Sequence, residues 1–219
     1  MLFISLLTVT LTIFNNAQLA LSSSSSSYNR TILKDQLFAF LTIGDWGGAS
    51  LSDFHTVDEY AVASQLGITA ESYGANFIVN VGDNHYYAGV SSVDDPAWKV
   101  NYEDVFTNPS LNIPWYSVLG NHDYGMNPQA QIDYKSPNND RWKMPDRYYT
   151  TRTHIGENSA GKAQYVTFIY LDTSPCISAY RSSDPSGYQP PPEKAPDFHA
   201  NIMTQGIVCK VCIVWYSVV

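Results

Sequence analysis

Three short apolar runs, Leu37 to Ile43, Phe77 to Val81 and Trp115 to Leu119, end at or next to a glycine, and each glycine precedes residues able to bind a metal ion. The junctions read Ile43-Gly44-Asp45, Val81-Gly82-Asp83-Asn84 and Leu119-Gly120-Asn121-His122-Asp123. Short apolar runs bounded by Gly or Pro predict buried strands. Between the first two, Asp58 to Tyr73 carries Tyr60, Ala61, Ser64, Leu66 and Ile68 in a loose helical pattern. Between the second and third, Pro96 to Phe106 offers Pro at a first helical position and sets Trp98, Tyr102, Val105 and Phe106 on one side. The order strand, helix, strand, helix, strand predicts a largely parallel sheet, whose ligands bind beyond the carboxyl ends of the strands. Tyr148 to Thr151 and Gln164 to Leu171 add strand-like stretches with no helix between them, so a second, mixed or antiparallel sheet is expected.

If the three strands are parallel neighbours, their ends lie roughly 5 to 10 Å apart, so Asp45, Asp83 and Asn121 converge on one cavity. Glycine before each ligand permits a tight turn or a close backbone approach. Tyr86, three residues after Asp83, is within reach of the same point. A single Gly-Asp after a strand is an ordinary turn; three such junctions at three strand ends are a site. Carboxylates and a phenolate are hard, anionic donors suited to a highly charged cation, while the Asn121 amide oxygen suits a divalent one, so two unlike metals are implied. Such a pair polarises a phosphate ester from both sides, with Asp83, central in the series, placed to bridge.

The rest of the chain bounds this reading. With 219 residues, 44% hydrophobic and 15% charged, it has enough apolar surface for one core. Twenty acidic residues against 12 basic, with no Lys/Arg cluster, argue against nucleic acid or an anionic membrane as partner. Residues 1–20 read as a signal peptide, because Leu2 to Ile13 is nearly continuous apolar sequence too short to span a bilayer, with small Ala17 and Ala20 following. That predicts secretion, or delivery to a vacuole or lysosome. Residues 21–35 form a linker around Ser22 to Ser27 and include Asn29-Arg30-Thr31, a glycosylation acceptor. Three cysteines, Cys176, Cys209 and Cys212, are an odd number, and the C-x-x-C at 209–212 has no second ligand pair to make it a metal site.

At the three junctions the sequence resembles the purple acid phosphatases, in particular their small tartrate-resistant branch. The blocks that carry the resemblance are Gly44-Asp45-Trp46-Gly47-Gly48, Gly82-Asp83-Asn84-His85-Tyr86 and Gly120-Asn121-His122-Asp123. Tyr102-Glu103-Asp104-Val105-Phe106, Ile113-Pro114-Trp115-Tyr116 and Ala130-Gln131-Ile132-Asp133-Tyr134 are also similar, and the likeness runs over residues 36–205. The resemblance implies an α/β fold: a metallophosphoesterase-type β-sandwich of mixed sheets flanked by helices, incomplete at its C-terminus. It implies that Asp45 binds Fe(III), that Asp83 bridges to a divalent Fe, Zn or Mn ion, that Tyr86 gives the iron a phenolate, and that Asn121 binds the divalent ion. His122 would contact phosphate and act as general acid, Asn84 would help position metal or substrate, and the substrate would be a small phosphate ester. Two later blocks of the family, which supply three histidine ligands, are not found, and residues 206–219 form a divergent apolar tail. The resemblance also pairs Cys176 with a cysteine further along that this sequence lacks. Two other readings stand beside it: a non-catalytic truncated product, and a phosphodiesterase of the wider metallophosphoesterase class, against which Tyr86, as a phenolate ligand, points to the purple branch.

Overall fold

Side-chain alternation in the first strands decides how the layers stack. A computed structural model describes residues 10–15, 37–48, 57–137, 139–177 and 180. The strands are β1 (Thr10–Asn15), β2 (Leu37–Ile43), β3 (Phe77–Asn80), β4 (Trp115–Ser117) and β5 (Trp142–Lys143), which form one sheet in that spatial order. β2, β3, β4 and β5 are mutually parallel, and β1 pairs antiparallel with β2. Phe38 and Phe40 of β2 and Phe77 of β3 face one side, Leu41, Ile43, Ile78 and Trp115 the other, as the two-residue strand period requires. The antiparallel pair β6 (Tyr148–Glu157) and β7 (Ala163–Leu171) covers the phenylalanine face. Phe168 inserts edge-on against Phe40 and Phe77, with ring centroids 5.0 and 5.1 Å away, and Tyr149 donates its hydroxyl to the Ser117 carbonyl at 2.8 Å. Both expected sheets therefore form, and β6 runs well beyond the Tyr148 to Thr151 stretch anticipated from sequence.

The opposite face carries the main core. Helix α1 (Val57–Tyr73) buries Glu59, Ala63, Leu66 and Ala70. Of the residues the sequence pattern selects, only Leu66 is buried; Tyr60 and Ile68 are exposed. Small side chains let the helix lie close to its neighbours, and the bulky ones then have no room on that face. Pro96 to Phe106, expected as a helix, contains one π-helical turn, Trp98–Glu103, but Trp98, Tyr102, Val105 and Phe106 are buried as anticipated. Four of the five tryptophans, Trp46, Trp98, Trp115 and Trp142, meet in this core, with Trp98 stacked on Tyr134 at 3.6 Å between centroids.

Arg141, immediately before β5, threads into the same core. Its guanidinium lies 4.5 Å from the Tyr102 ring centroid, donates to the Phe106 carbonyl at 2.6 Å and pairs with Glu103 at 2.9 Å. Glu103 also accepts the Tyr134 hydroxyl at 3.0 Å. One ion pair thus ties the π-helical turn to the strand ladder, where the Trp115 amide donates to the Arg141 carbonyl at 2.7 Å.

Thr10–Asn15 falls inside the expected leader, while residues 16–36 and 181–219, with the linker, the glycosylation triplet and the apolar tail, lie outside the described residues. Among the described residues no helix is long and apolar enough to cross a membrane. Cys176 is disulfide-bonded to a partner outside the described residues. That corrects the expectation that it has no partner within the chain.

Candidate metal centre

The parallel pairing of β2, β3 and β4 delivers the three junctions to one end of the sheet. The Asp45 amide donates to the Gly82 carbonyl at 3.1 Å, closing the first loop on the second. Gly82 in turn abuts Gly120: a Cβ on residue 82 would sit 2.6 Å from the Gly120 nitrogen. Asp45 and Asp83 both adopt left-handed backbone conformations, with φ of 56° and 50°. Non-glycine residues held there carry strain of order 1–3 kcal/mol, which the surrounding structure must impose.

The side chains meet as a result. The Tyr86 hydroxyl donates to Asp45 Oδ1 and also contacts Asp83 Oδ2 at 3.0 Å. The other Asp83 oxygen accepts the His122 amide at 3.0 Å. The His122 ring packs on Tyr86 at 4.6 Å between centroids, and its Nδ1 lies 2.8 Å from the Tyr87 carbonyl. Asn121 precedes His122 at the start of a short 3-10 turn, and its side chain makes no capping hydrogen bond there. Asp45 is exposed, while Asp83, Tyr86, Asn121 and His122 are half-buried, so the cluster opens to solvent.

Three oxygens of three residues on two loops, sharing one phenolic proton, are a hard donor set that fits a cation. Burial, then the Asp45 hydrogen bond and the Asp83 charge, hold the Tyr86 phenol well above its ordinary range. A cation in the proton's place reverses that balance, since the two carboxylates then stabilise the bound ion. Among the described residues no three His, Cys, Asp or Glu side chains gather at one point. The cluster instead holds two carboxylates and a phenol.

Asn84 departs from its expected place. It is fully buried, its Nδ2 donates to the Val118 carbonyl and to Gln131 Oε1, both at 2.9 Å, and its Oδ1 accepts from Asn80 at 2.6 Å. With both ends engaged behind the site, it has no group to offer a substrate; it joins the loops. Sequence reasoning gave Asp123 no role, yet this fully buried carboxylate accepts the amides of Asn84 (3.0 Å), His85 (3.2 Å) and Gly120 (2.8 Å), stapling the second loop to the third. Burial pushes Asp123 up to about 7, against those donors.

Two buried groups outside the cluster give a pH signature. Burial pushes Glu59 up to about 7, partly offset by a backbone hydrogen bond from Gly48. Between about 4.5 and 7 the folded chain therefore holds a proton that the unfolded chain releases, and this contribution to stability is lost as pH rises through that window. His85, enclosed edge-on by Trp46 and Trp98, is pushed down to about 3 by burial and acts in the opposite sense, favouring the fold as pH rises to 6.5. Comparing Glu59→Gln with the parent isolates the first group. The expected result is that the variant's thermal midpoint loses less than the parent's between pH 5 and pH 7.5; parallel curves would show that Glu59 does not titrate in this window.

Parallel strands with oxygen donors on the loops at their carboxyl ends, backed by a second antiparallel sheet, match the architecture expected of a metallophosphoesterase. The sequence profile of the calcineurin-like phosphoesterase family matches residues 38–188, and the chain belongs to that family. Its curated relatives are purple acid phosphatases. Tartrate-resistant acid phosphatase type 5 of Oryctolagus cuniculus is 43% identical over 135 residues, 61% of this chain and 40% of the relative. Purple acid phosphatase 4 of Arabidopsis thaliana is 38% identical over 146 residues, 67% of this chain and 39% of the relative. The chain thus spans about 40% of the length of these relatives. Among solved structures, the protein described as GAP50, the anchor in the inner membrane complex of Plasmodium, aligns with a TM-score of 0.54 and 27% identity, covering 74% of this chain and 46% of that one.

Proposed function

We propose that this chain is an acid phosphatase that hydrolyses small phosphate monoesters at a dinuclear Fe(III)–divalent metal centre. The meeting of the Tyr86 hydroxyl with the Asp45 and Asp83 carboxylates carries the reading, because it brings hard oxygen donors of separate loops to one point. Asp45 and Tyr86 would hold the ferric ion, Asp83 would lie between the two ions, and Asn121 would bind the divalent one, Fe, Zn or Mn. When bound, the ions supply Lewis acidity towards the phosphoryl oxygens. His122 does the proton work. Its Nδ1 proton is held on the Tyr87 carbonyl, so the proton passed to the departing ester oxygen leaves from Nε2 of the imidazolium. The half-buried Tyr86 and His122 rings form the wall against which the phosphate rests.

Residues 1–20 serve, on this reading, as a secretory leader, residues 36–205 as the catalytic domain and 206–219 as a separate tail, with Asn29 glycosylated and the product secreted or delivered to a vacuole or lysosome. The chain loaded with iron and zinc is expected to release p-nitrophenol from p-nitrophenyl phosphate near pH 5, in a reaction that a chelator stops and His122→Ala slows by about 100-fold or more. A metal-loaded chain that releases none would contradict the catalytic reading. It would favour a second one, a scaffold use of the same fold, which the likeness to an anchor protein supports.

A further inference from the structure

Trp46 can only donate, and that orients a row of buried amides behind the metal loops. Its indole N–H meets Asn80 Oδ1 at 2.9 Å. The Asn80 NH2 must then face Asn84 Oδ1 and Ser117 Oγ, at 2.6 and 3.1 Å. That turns the Asn84 NH2 towards Gln131 Oε1, and the Gln131 NH2, at the end of the row, towards Asp123 Oδ1 at 2.8 Å. Asn80, Asn84, Asp123 and Gln131 are all fully buried. Gln131 sits on helix α2 (Pro128–Asp133), and its carbonyl accepts the Trp142 indole N–H at 2.7 Å, which fixes the helix on the core. Each amide has one satisfied orientation, since flipping any of them sets donor against donor and acceptor against acceptor.

We infer that Gln131 is a positioning residue for the metal centre, holding the 83–86 and 120–122 loops in register through Asp123 and Asn84. It makes no hydrogen bond to Asp45, Asp83, Tyr86 or Asn121; it donates to the carboxylate that gathers the two loops and accepts from the amide that ties them to Val118, just after β4. The inference rests on reading those loops as the metal loops, but its test needs no metal.

Amide hydrogen exchange of the metal-free full chain distinguishes positioning from general support. In Gln131→Met, which keeps the length and removes both polar atoms, the amides of Asn84, His85, Gly120 and His122 are expected to exchange about tenfold faster or more. Those of Ile78 and Trp115, bonded to the Pro114 and Arg141 carbonyls, keep their parent rates. Gln131→Leu, which likewise removes both the donor to Asp123 and the acceptor for Asn84, gives the same confined pattern and serves if the first variant does not fold. A uniform acceleration, or unchanged loop amides, would overturn the inference. So would side-chain amides of Asn84 and Gln131 that exchange at free-solution rates in the parent. Metal uptake by the parent is measured separately, and its failure would remove the metal-centre reading while leaving the exchange pattern to decide the role of Gln131.

Discussion

Gly120→Ala is expected to weaken metal binding at the proposed centre sharply while replacing a single hydrogen by a methyl group. The new Cβ would lie 2.2 Å from both the amide nitrogen and Oδ1 of Asp83. No side chain approaches backbone that closely, so one of the two loops must move. The third loop cannot retreat cheaply, because the Gly120 amide is held by Asp123 and the His122 amide by Asp83. Displacing the second loop swings Asp83 away from the Tyr86 hydroxyl and breaks the cluster. On the proposed centre, loss of Asp83 as a donor with its supporting contacts corresponds to a fall in metal affinity of about 10–100-fold, readable as metal retained after dialysis. Retention equal to the parent's would show that the loops are looser than this close approach implies.

Arg141→Met is expected to cost about 3–5 kcal/mol of stability, because it leaves the Glu103 charge without its cation beside an apolar core. The side chains of Arg141 and Glu103 are 3% and 13% exposed, so water cannot replace the lost partner. The Phe106 carbonyl also loses its donor, and the Tyr102 ring loses the cation above it. Urea unfolding monitored by tryptophan fluorescence measures the change. A partner replacement, Glu103→Gln in the Arg141→Met background, should recover part of it by removing the stranded charge. If Arg141→Met unfolds within 1 kcal/mol of the parent, the pair contributes no more than a surface ion pair.

The three strand ends were legible because their signal is local: an apolar run, a glycine and an oxygen donor in consecutive positions. Parallel pairing then brings Asp45, Asp83, Tyr86 and His122 together without further information. What holds them there was not legible. Asp123 and Arg141 are charged and Gln131 is polar, and apart from the Gly120 amide their side-chain partners lie 8 to 47 residues away. Asn80, ending an otherwise apolar strand and fully buried, was the one local hint of a polar network. The face of α1 was misread for a related reason. The loose pattern of Tyr60, Ala61, Ser64, Leu66 and Ile68 marks a neighbouring stripe, whereas close packing buries Glu59, Ala63, Leu66 and Ala70 and leaves Tyr60 and Ile68 outside. The resemblance assigns Asn84 to positioning metal or substrate, whereas its side chain points into the scaffold, towards Val118 and Gln131.

The central claim is that residues of separate loops, Tyr86 among them, form one ferric site. Titrating the chain with Fe(III) and recording its visible absorption tests this most directly. One tightly bound iron per chain is expected, with a phenolate charge-transfer band that Tyr86→Phe eliminates while the fold persists. Iron that binds without such a band, or a band that survives in Tyr86→Phe, would contradict it.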